Sequence, residues 1–289
     1  MNSCILENQQ SGKLDGRVAI VTGSPKGIGA AIAKHLALAG ASTVINYLSS
    51  QQDADRVVND IASRGGKAIS IQADVREEAD IKCLFVRVKT AYGRIDILVN
   101  NAGVYEFRSI ENVTVEHYHK HFSVNVVGLI LCSREAVKYF DRVTNGAITG
   151  SAAVDAVTVV LARELGPRKI RVNAIRLGTT ITESSRAAGF IGSSFEAQII
   201  AQTPFDRLAQ PDDIARAAVF LASDDFAWVS GESLRVYGGS VNSPLTLEKS
   251  YRFKGMSNNS LRIKKFHQWY NKVILLRKNS NAKMVTIKI

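Results

Sequence analysis

Short apolar runs rich in β-branched residues alternate along the chain with longer stretches of helical spacing. RVAIVT (17–22) is followed by GIGAAIAKHLALAG (27–40), in which Ile28, Ile32, Leu36 and Ala39 fall near one stripe and Gly40 marks the stop. STVIN (42–46) predicts a strand, and a helix over 51–63 ends at Arg64-Gly65-Gly66. AISIQ (68–72), a helix over 77–92 and IDILVN (95–100) continue the pattern. A long helical region over 115–140 leads into GAIT and a helix over 152–165, then IRVNAI (170–175) as a strand. A helix over 211–222 opens on Asp212 and Asp213, which suits the positive end of its dipole, and SLRV (233–236) is the last strand. Short buried strands joined by helices require right-handed crossovers and a parallel sheet covered on both faces. The expected class is α/β, a single doubly wound parallel-sheet domain over 14–240, with an extension before it (1–13) and another after it (241–289).

Charge changes the picture only at one end. The net charge of +11 invites a nucleic-acid reading, but residues 241–289 hold 11 of the 37 Lys/Arg and one acid, Glu248. That leaves 26 basic and 25 acidic residues in 1–240, an ordinary balance that predicts no nucleic-acid partner for the main domain. The basic tail is expected to be disordered or loosely packed. Within it, LRIKKFHQWYNKVILLR (261–277) has the spacing of a basic amphipathic helix, which predicts weak binding to anionic surfaces. No apolar run approaches the ~20 residues of a membrane span, and MNSCILENQQSGK lacks the basic-then-apolar order of a secretory signal. Cys4, Cys83 and Cys132 give neither a disulfide framework nor metal spacing, so no metal is expected, and a reducing cytoplasm is the expected compartment.

The first strand runs into TGSPKGIG (22–29) and then a helix. Glycines at 23, 27 and 29 allow a tight bend, close approach of a pyrophosphate and close packing of helix on strand. The phosphates would sit on the helix N-terminus, where free N–H groups and the dipole favour anions. Gly23, Ser24, Lys26, Gly27, Ile28 and Gly29 are therefore cofactor-binding candidates. An NAD site wants an acid at the end of the second strand. Here that strand ends in Asn46-Tyr47, with no acid before Asp53, while Lys26 is placed to pair with a 2′-phosphate, helped by Ser49 and Ser50. The residues favour NADP(H) over NAD(H).

TGSPKGIG, ADV (73–75), NNAG (100–103), the asparagine of FSVNVVG (122–128), IRVNAI followed by Leu177-Gly178, and WVSGESLRVYGG (228–239) together resemble the short-chain dehydrogenase/reductase family, in the style of its glucose 1-dehydrogenases and ketoreductases. The resemblance covers about residues 14–240 and implies a Rossmann fold. It implies adenine contacts from Asp74 and Val75, and a floor beneath the adenosine ribose from Asn101, Ala102 and Gly103. It places Thr180 and Thr182 near the nicotinamide and pyrophosphate, although Leu177-Gly178 stands where the family has Pro-Gly. It implies a small carbonyl or alcohol substrate beneath a lid over 182–203. It also implies a homo-oligomer built on the long middle helix and the helix over 152–165, the second of which is shortened here.

The family's chemistry uses a Tyr acid/base, a Lys one helical turn later, a Ser after the preceding strand and an Asn on the middle helix. Asn125 matches the last, and Ser151 stands where the serine would be. The Tyr–Lys pair has no match. Four residues after the eight tyrosines (47, 92, 105, 118, 139, 237, 251 and 270) stand Gln51, Asp96, Ser109, Phe122, Val143, Val241, Gly255 and Ile274. Gly150 and Ser151 barely span a strand-to-helix link of about 2–6 residues. The shortfall is roughly 15–20 residues, a loop and the first turn or so of helix. Tyr105 and Tyr139 are the conceivable stand-ins, each without a lysine at helical spacing. Three readings follow: an NADP(H)-dependent oxidoreductase impaired by this gap, a nucleotide-binding protein without turnover, or a mis-spliced or mispredicted chain.

Overall fold

The computed structural model of this chain describes residues 12–106, 108–140, 152–240 and 285–288. Its strands are β1 (Val18–Val21), β2 (Ser42–Tyr47), β3 (Lys67–Gln72), β4 (Ile97–Asn100), β5 (Ala174–Leu177), β6 (Ser233–Val236) and β7 (Val285–Lys288). Its helices are α1 (Gly27–Leu38), α2 (Gln51–Ser63), α3 (Glu78–Tyr92), α4 (Val115–Phe122), α5 (Leu129–Tyr139), α6 (Ala152–Leu165), α7 (Glu183–Ala187), α8 (Ser194–Ala201) and α9 (Pro211–Ala222). Five strands form a parallel sheet in the order β3-β2-β1-β4-β7, and β5 and β6 pair parallel beside it. This is the doubly wound α/β architecture that the pattern predicts.

The strands read as continuous apolar runs because each of their faces is covered. Ala19, Val21, Ile97 and Val99 point into one core with Ile32 and Leu36 of α1 and Ile214 and Leu221 of α9. Val18, Ile20 and Leu98 point into the other, with Leu84 and Phe85 of α3, Leu129 and Cys132 of α5 and Val154 of α6. The period of two along a strand thus divides one apolar run between two cores.

Three elements differ from the sequence expectation. The strand predicted over 170–175 lies later, at Ala174–Leu177. Asn173 instead spends its side chain on a loop, accepting the Glu232 N–H and donating to the Val229 carbonyl, and the β5–β6 pairing starts beyond it. The long helix over 115–140 is interrupted by a π-helical segment, Ser123–Gly128. Finally, the extension predicted as apart from the core contributes a strand to it. β7 runs parallel to β4, with Val285 opposite Ile97 and Lys288 opposite Asn100, and also lies against β5. Val285, Thr286 and Ile287 are consecutive β-branched residues, which favour a strand. The amphipathic helix predicted over 261–277 lies outside the described residues.

Candidate functional site

The glycine turn between β1 and α1 is tied down on every side. Gly23 and Gly27 have positive φ (58° and 56°), which only glycine adopts without strain. A Cβ on Gly23 would lie 2.7 Å from the Ala102 Cα, and one on Gly29 would lie 2.4 Å from Asn101 Nδ2. The reason for this closeness is a lock from β4. Asn101 Nδ2 donates to the carbonyls of Thr22 and Gly23, both at 2.7 Å, and Thr22 Oγ1 accepts the N–H groups of Asn101 and Ala102. Ser24, fully buried, donates to the Val21 carbonyl at 2.6 Å. Thr22 belongs to this lock and was not among the sequence candidates. Its signal was its place at the mouth of β1, directly before the first glycine.

Asn46 also faces inward. Its Oδ1 accepts the Gly23 N–H at 3.1 Å, and its Nδ2 donates to the carbonyls of Ile71 and Ala73. It therefore fastens β3 and the glycine turn to β2, and is 2% exposed. Lys26 precedes α1 as an extended residue whose side chain makes no cap, and no acid lies in the helix's first turn. The Lys26 ammonium instead pairs with Asp53 at 2.7 Å, and Arg56 binds the same carboxylate. These contacts, the Lys26 bond first, hold the Asp53 carboxyl below the usual range. Ile28 packs half-buried against the α1–α9 core.

Of the two residues that the resemblance assigns to adenine, Asp74 is clasped by Arg76, which lowers its carboxyl pKa, and its own N–H donates to Asp80. Val75 packs so tightly on Gly128 that a Cβ there would meet the Val75 carbonyl at 2.9 Å. Of the two residues that the resemblance places near the nicotinamide, Thr180 donates its Oγ1 hydrogen to the Gly178 carbonyl, and Thr182 caps α7 in a reciprocal pair with Ser185. The start of α7 rests on the glycine turn: a Cβ on Gly27 would be 3.4 Å from Thr182 Cγ2 and 3.6 Å from Glu183 Oε2. The structure thus gathers Gly23, Gly27, Gly29, Lys26, Asn101, Ala102 and Thr182 around the N-terminus of α1, with Asn46 beneath them.

Asn125 lies in the π-helical segment, a distortion common at functional sites. Its Oδ1 accepts the Val104 N–H and its Nδ2 donates to the Val104 carbonyl, both at 2.9 Å. Gly103 lies beside it, its would-be Cβ 3.3 Å from Asn125 Oδ1. Asn125 so fixes the loop after β4. Ser151 lies outside the described residues. Of the tyrosine stand-ins, Tyr139 lies far from this asparagine, whereas Tyr105 follows the Val104 backbone that Asn125 holds. Tyr139 is fourteen residues along the helical run, about 20 Å at 1.5 Å per residue, and stacks on Phe85 at 5.7 Å. Tyr105 is 80% exposed.

A buried cation was also missed by the sequence reading. Arg171, 3% exposed, donates to the carbonyls of Leu221, Ser223 and Val229, joining the approach to β5 to the end of α9. Burial pulls its pKa down to about 9.

α1 opens at Gly27 with no side-chain cap on its first N–H groups, a helix terminus that suits a dinucleotide pyrophosphate. Comparison with known proteins agrees. The short chain dehydrogenase model matches residues 17–151, and the Enoyl-(Acyl carrier protein) reductase model matches residues 149–240. An uncharacterized oxidoreductase of Methylorubrum extorquens is 48% identical over 244 residues, covering 78% of this chain and 98% of that protein. The crystal structure of a short chain dehydrogenase from Burkholderia cenocepacia in complex with NADP superposes with a TM-score of 0.74 at 32% identity, covering 79% of this chain and 99% of that one. A dehydrogenase/reductase from Sinorhizobium meliloti gives 0.75 at 34% identity, covering 80% and 96%.

Proposed function

The chain belongs to the short-chain dehydrogenase/reductase family, and from that premise we propose that it binds NADP(H) while its carbonyl-reducing activity is impaired by the loss of the acid/base pair. The observation that carries this is the absence of any Tyr followed four residues later by Lys in the sequence. The alignment with the Methylorubrum oxidoreductase points the same way. It extends over 244 residues but uses 78% of this chain's 289, about 225, so roughly 19 positions have no counterpart here.

This chain's residues divide the work as follows. The N–H groups at the start of α1 receive the pyrophosphate, and Asn101 and Asn46 keep the turn open for it. Lys26 serves the 2′-phosphate of NADP by exchanging its Asp53 partner for the phosphate. The absence of an acid at the end of β2 favours the same cofactor, as does the NADP complex of the Burkholderia relative. When bound, the nicotinamide supplies or accepts the hydride. Asn125 holds the loop over which a carbonyl substrate would lie. The alkoxide produced by hydride transfer needs a proton, and losing a positioned general acid costs about 10²–10⁴ in rate. Loss of the ribose-holding lysine adds to this by misplacing the nicotinamide.

NADPH fluorescence and thermal shift test binding, and NADPH oxidation with a panel of aldehydes, ketones and sugars tests turnover. Binding with rates at least ~10² below those of an intact relative is the expected result. Inserting a Tyr-x-x-x-Lys loop between Thr149 and Val154 should restore activity. No stabilisation at millimolar NADPH sinks the binding half, and full-rate turnover sinks the impairment.

A further inference from the structure

The sequence reading looked for metal ligands among the cysteines and found none; the folded chain brings together a different set. We propose that Glu106, His117 and His121 form a binding site for one divalent transition-metal ion of the zinc class. His117 and His121 are four apart on α4, so their imidazoles share a face, with ring centroids 4.3 Å apart. Glu106, in the loop after β4, brings its Oε2 to 4.0 Å from His117 Nε2. One donor atom from each of the three residues lies within 4.8 Å of the others.

Two details point to a ligand rather than to chance proximity. His121 Nδ1 lies 2.9 Å from the His117 carbonyl, which can only accept, so this nitrogen carries the proton. That leaves a lone pair on His121 Nε2, which is the arrangement by which a backbone carbonyl prepares a metal-binding imidazole. Moreover, the Nε2 atoms of both His117 and His121 are buried and have no hydrogen-bond partner. A buried polar atom left unsatisfied is costly, and one metal ion would satisfy both of these at once.

The donor set selects the ion. Two imidazoles and a carboxylate suit zinc, cobalt or nickel, whereas magnesium and calcium want oxygen alone. Three protein donors leave one position of a tetrahedron open. Tetrahedral coordination at about 2.0–2.1 Å requires the side chains to close inward by about an ångström. Arg108 and Lys120 also hold Glu106, Lys120 at 3.2 Å on the same Oε2, so binding displaces the Lys120 contact. Tyr118, His119 and Phe122 stand on the same helix, and none of the three is among the converging donors. A bound ion would clip the loop after β4 to α4, two residues from the Val104 backbone that Asn125 grips. The site shares no residue with the glycine turn, so its test needs no nucleotide.

The test uses the full chain, stripped with a chelator and titrated with Co²⁺ and Zn²⁺ at neutral pH. One Co²⁺ per chain is expected, with a visible d–d band, no near-ultraviolet thiolate band, displacement by Zn²⁺ and a higher melting temperature with either ion. The pair H117A/H121A should abolish all of these, and E106Q, at a surface position, should weaken binding about tenfold or more. Circular dichroism checks that each variant folds; should the double histidine variant not fold, E106Q alone decides. The proposal is overturned by the absence of a band and of a melting shift, by unchanged binding in H117A/H121A or in E106Q, or by a thiolate band assigning the ion to cysteine.

Discussion

At the scale of single residues, the site is a set of close approaches that tolerate no added atom. A Cβ on Gly29 meets Asn101 Nδ2 at 2.4 Å and the Gly23 carbonyl at 2.9 Å. Gly29→Ala is therefore expected to push β4's lock off the turn, costing about 1–3 kcal/mol by chemical denaturation and most of the NADPH affinity by fluorescence titration. Asn46→Ala would strand the Gly23 N–H and the carbonyls of Ile71 and Ala73. About 3 kcal/mol should be lost in the same denaturation experiment, with weaker nucleotide binding as a consequence. The glycines were legible because a positive φ and a close contact leave a residue type in the sequence. The role of Asn46 was not. The residues at the end of the second strand show that an acid is missing, but whether the amide there faces a ribose or the turn is decided by strands 25 residues away. Arg171 was illegible for a related reason, since its three acceptors all lie 50 or more residues later.

At the scale of elements, boundaries followed hydrophobic period wherever a helix or strand had a clear face. α2, α6, α9 and β6 lie at the predicted residues. The π-helical break at Ser123–Gly128 was hidden, because one extra residue in a turn barely disturbs a 3.6-residue pattern. Ion pairs then join elements that share no backbone bonds. Glu78 of α3 binds Arg134 of α5 at 2.9 Å as well as its own-helix partner Lys82, and these bonds hold its carboxyl at about 2. A depressed carboxylate stabilises the fold above its ordinary pKa and ceases to do so as pH falls through the lowered one. The α3–α5 tether should hold at pH 5 and be lost between about 4.5 and 2. Carboxyl carbon NMR should place the Glu78 midpoint near the lower limit, and Glu78→Gln should flatten this part of the acid unfolding curve. A Glu78 midpoint near 4.5 would show that the tether does not form in solution.

At the scale of the whole molecule, the sheet is completed by a strand from the far end of the sequence. The segment expected to be an appendage supplies β7 beside β4. Composition could not foresee this, because four residues of suitable pattern are outweighed by the lysines and asparagines around them. Removing residues 282–289 should bare the edge of β4. Amide exchange at Ile97–Asn100 is expected to quicken relative to β1 and β2, with unchanged exchange there arguing against the pairing. A bared parallel edge is also a template for another chain, so the shortened protein should aggregate more readily at equal concentration.

The position of β7 also constrains how the protein is made. On a ribosome, β1 to β4 and their helices leave the tunnel long before residues 285–288 exist. Until those residues emerge, the inner edge of β4 waits unpaired and β5 lacks a neighbour that it has in the finished fold. Synthesis at about 5–20 residues per second makes that wait last roughly ten to forty seconds. For that interval the nascent chain holds a nearly finished sheet with one open seam, which is the state a chaperone would be called upon to guard.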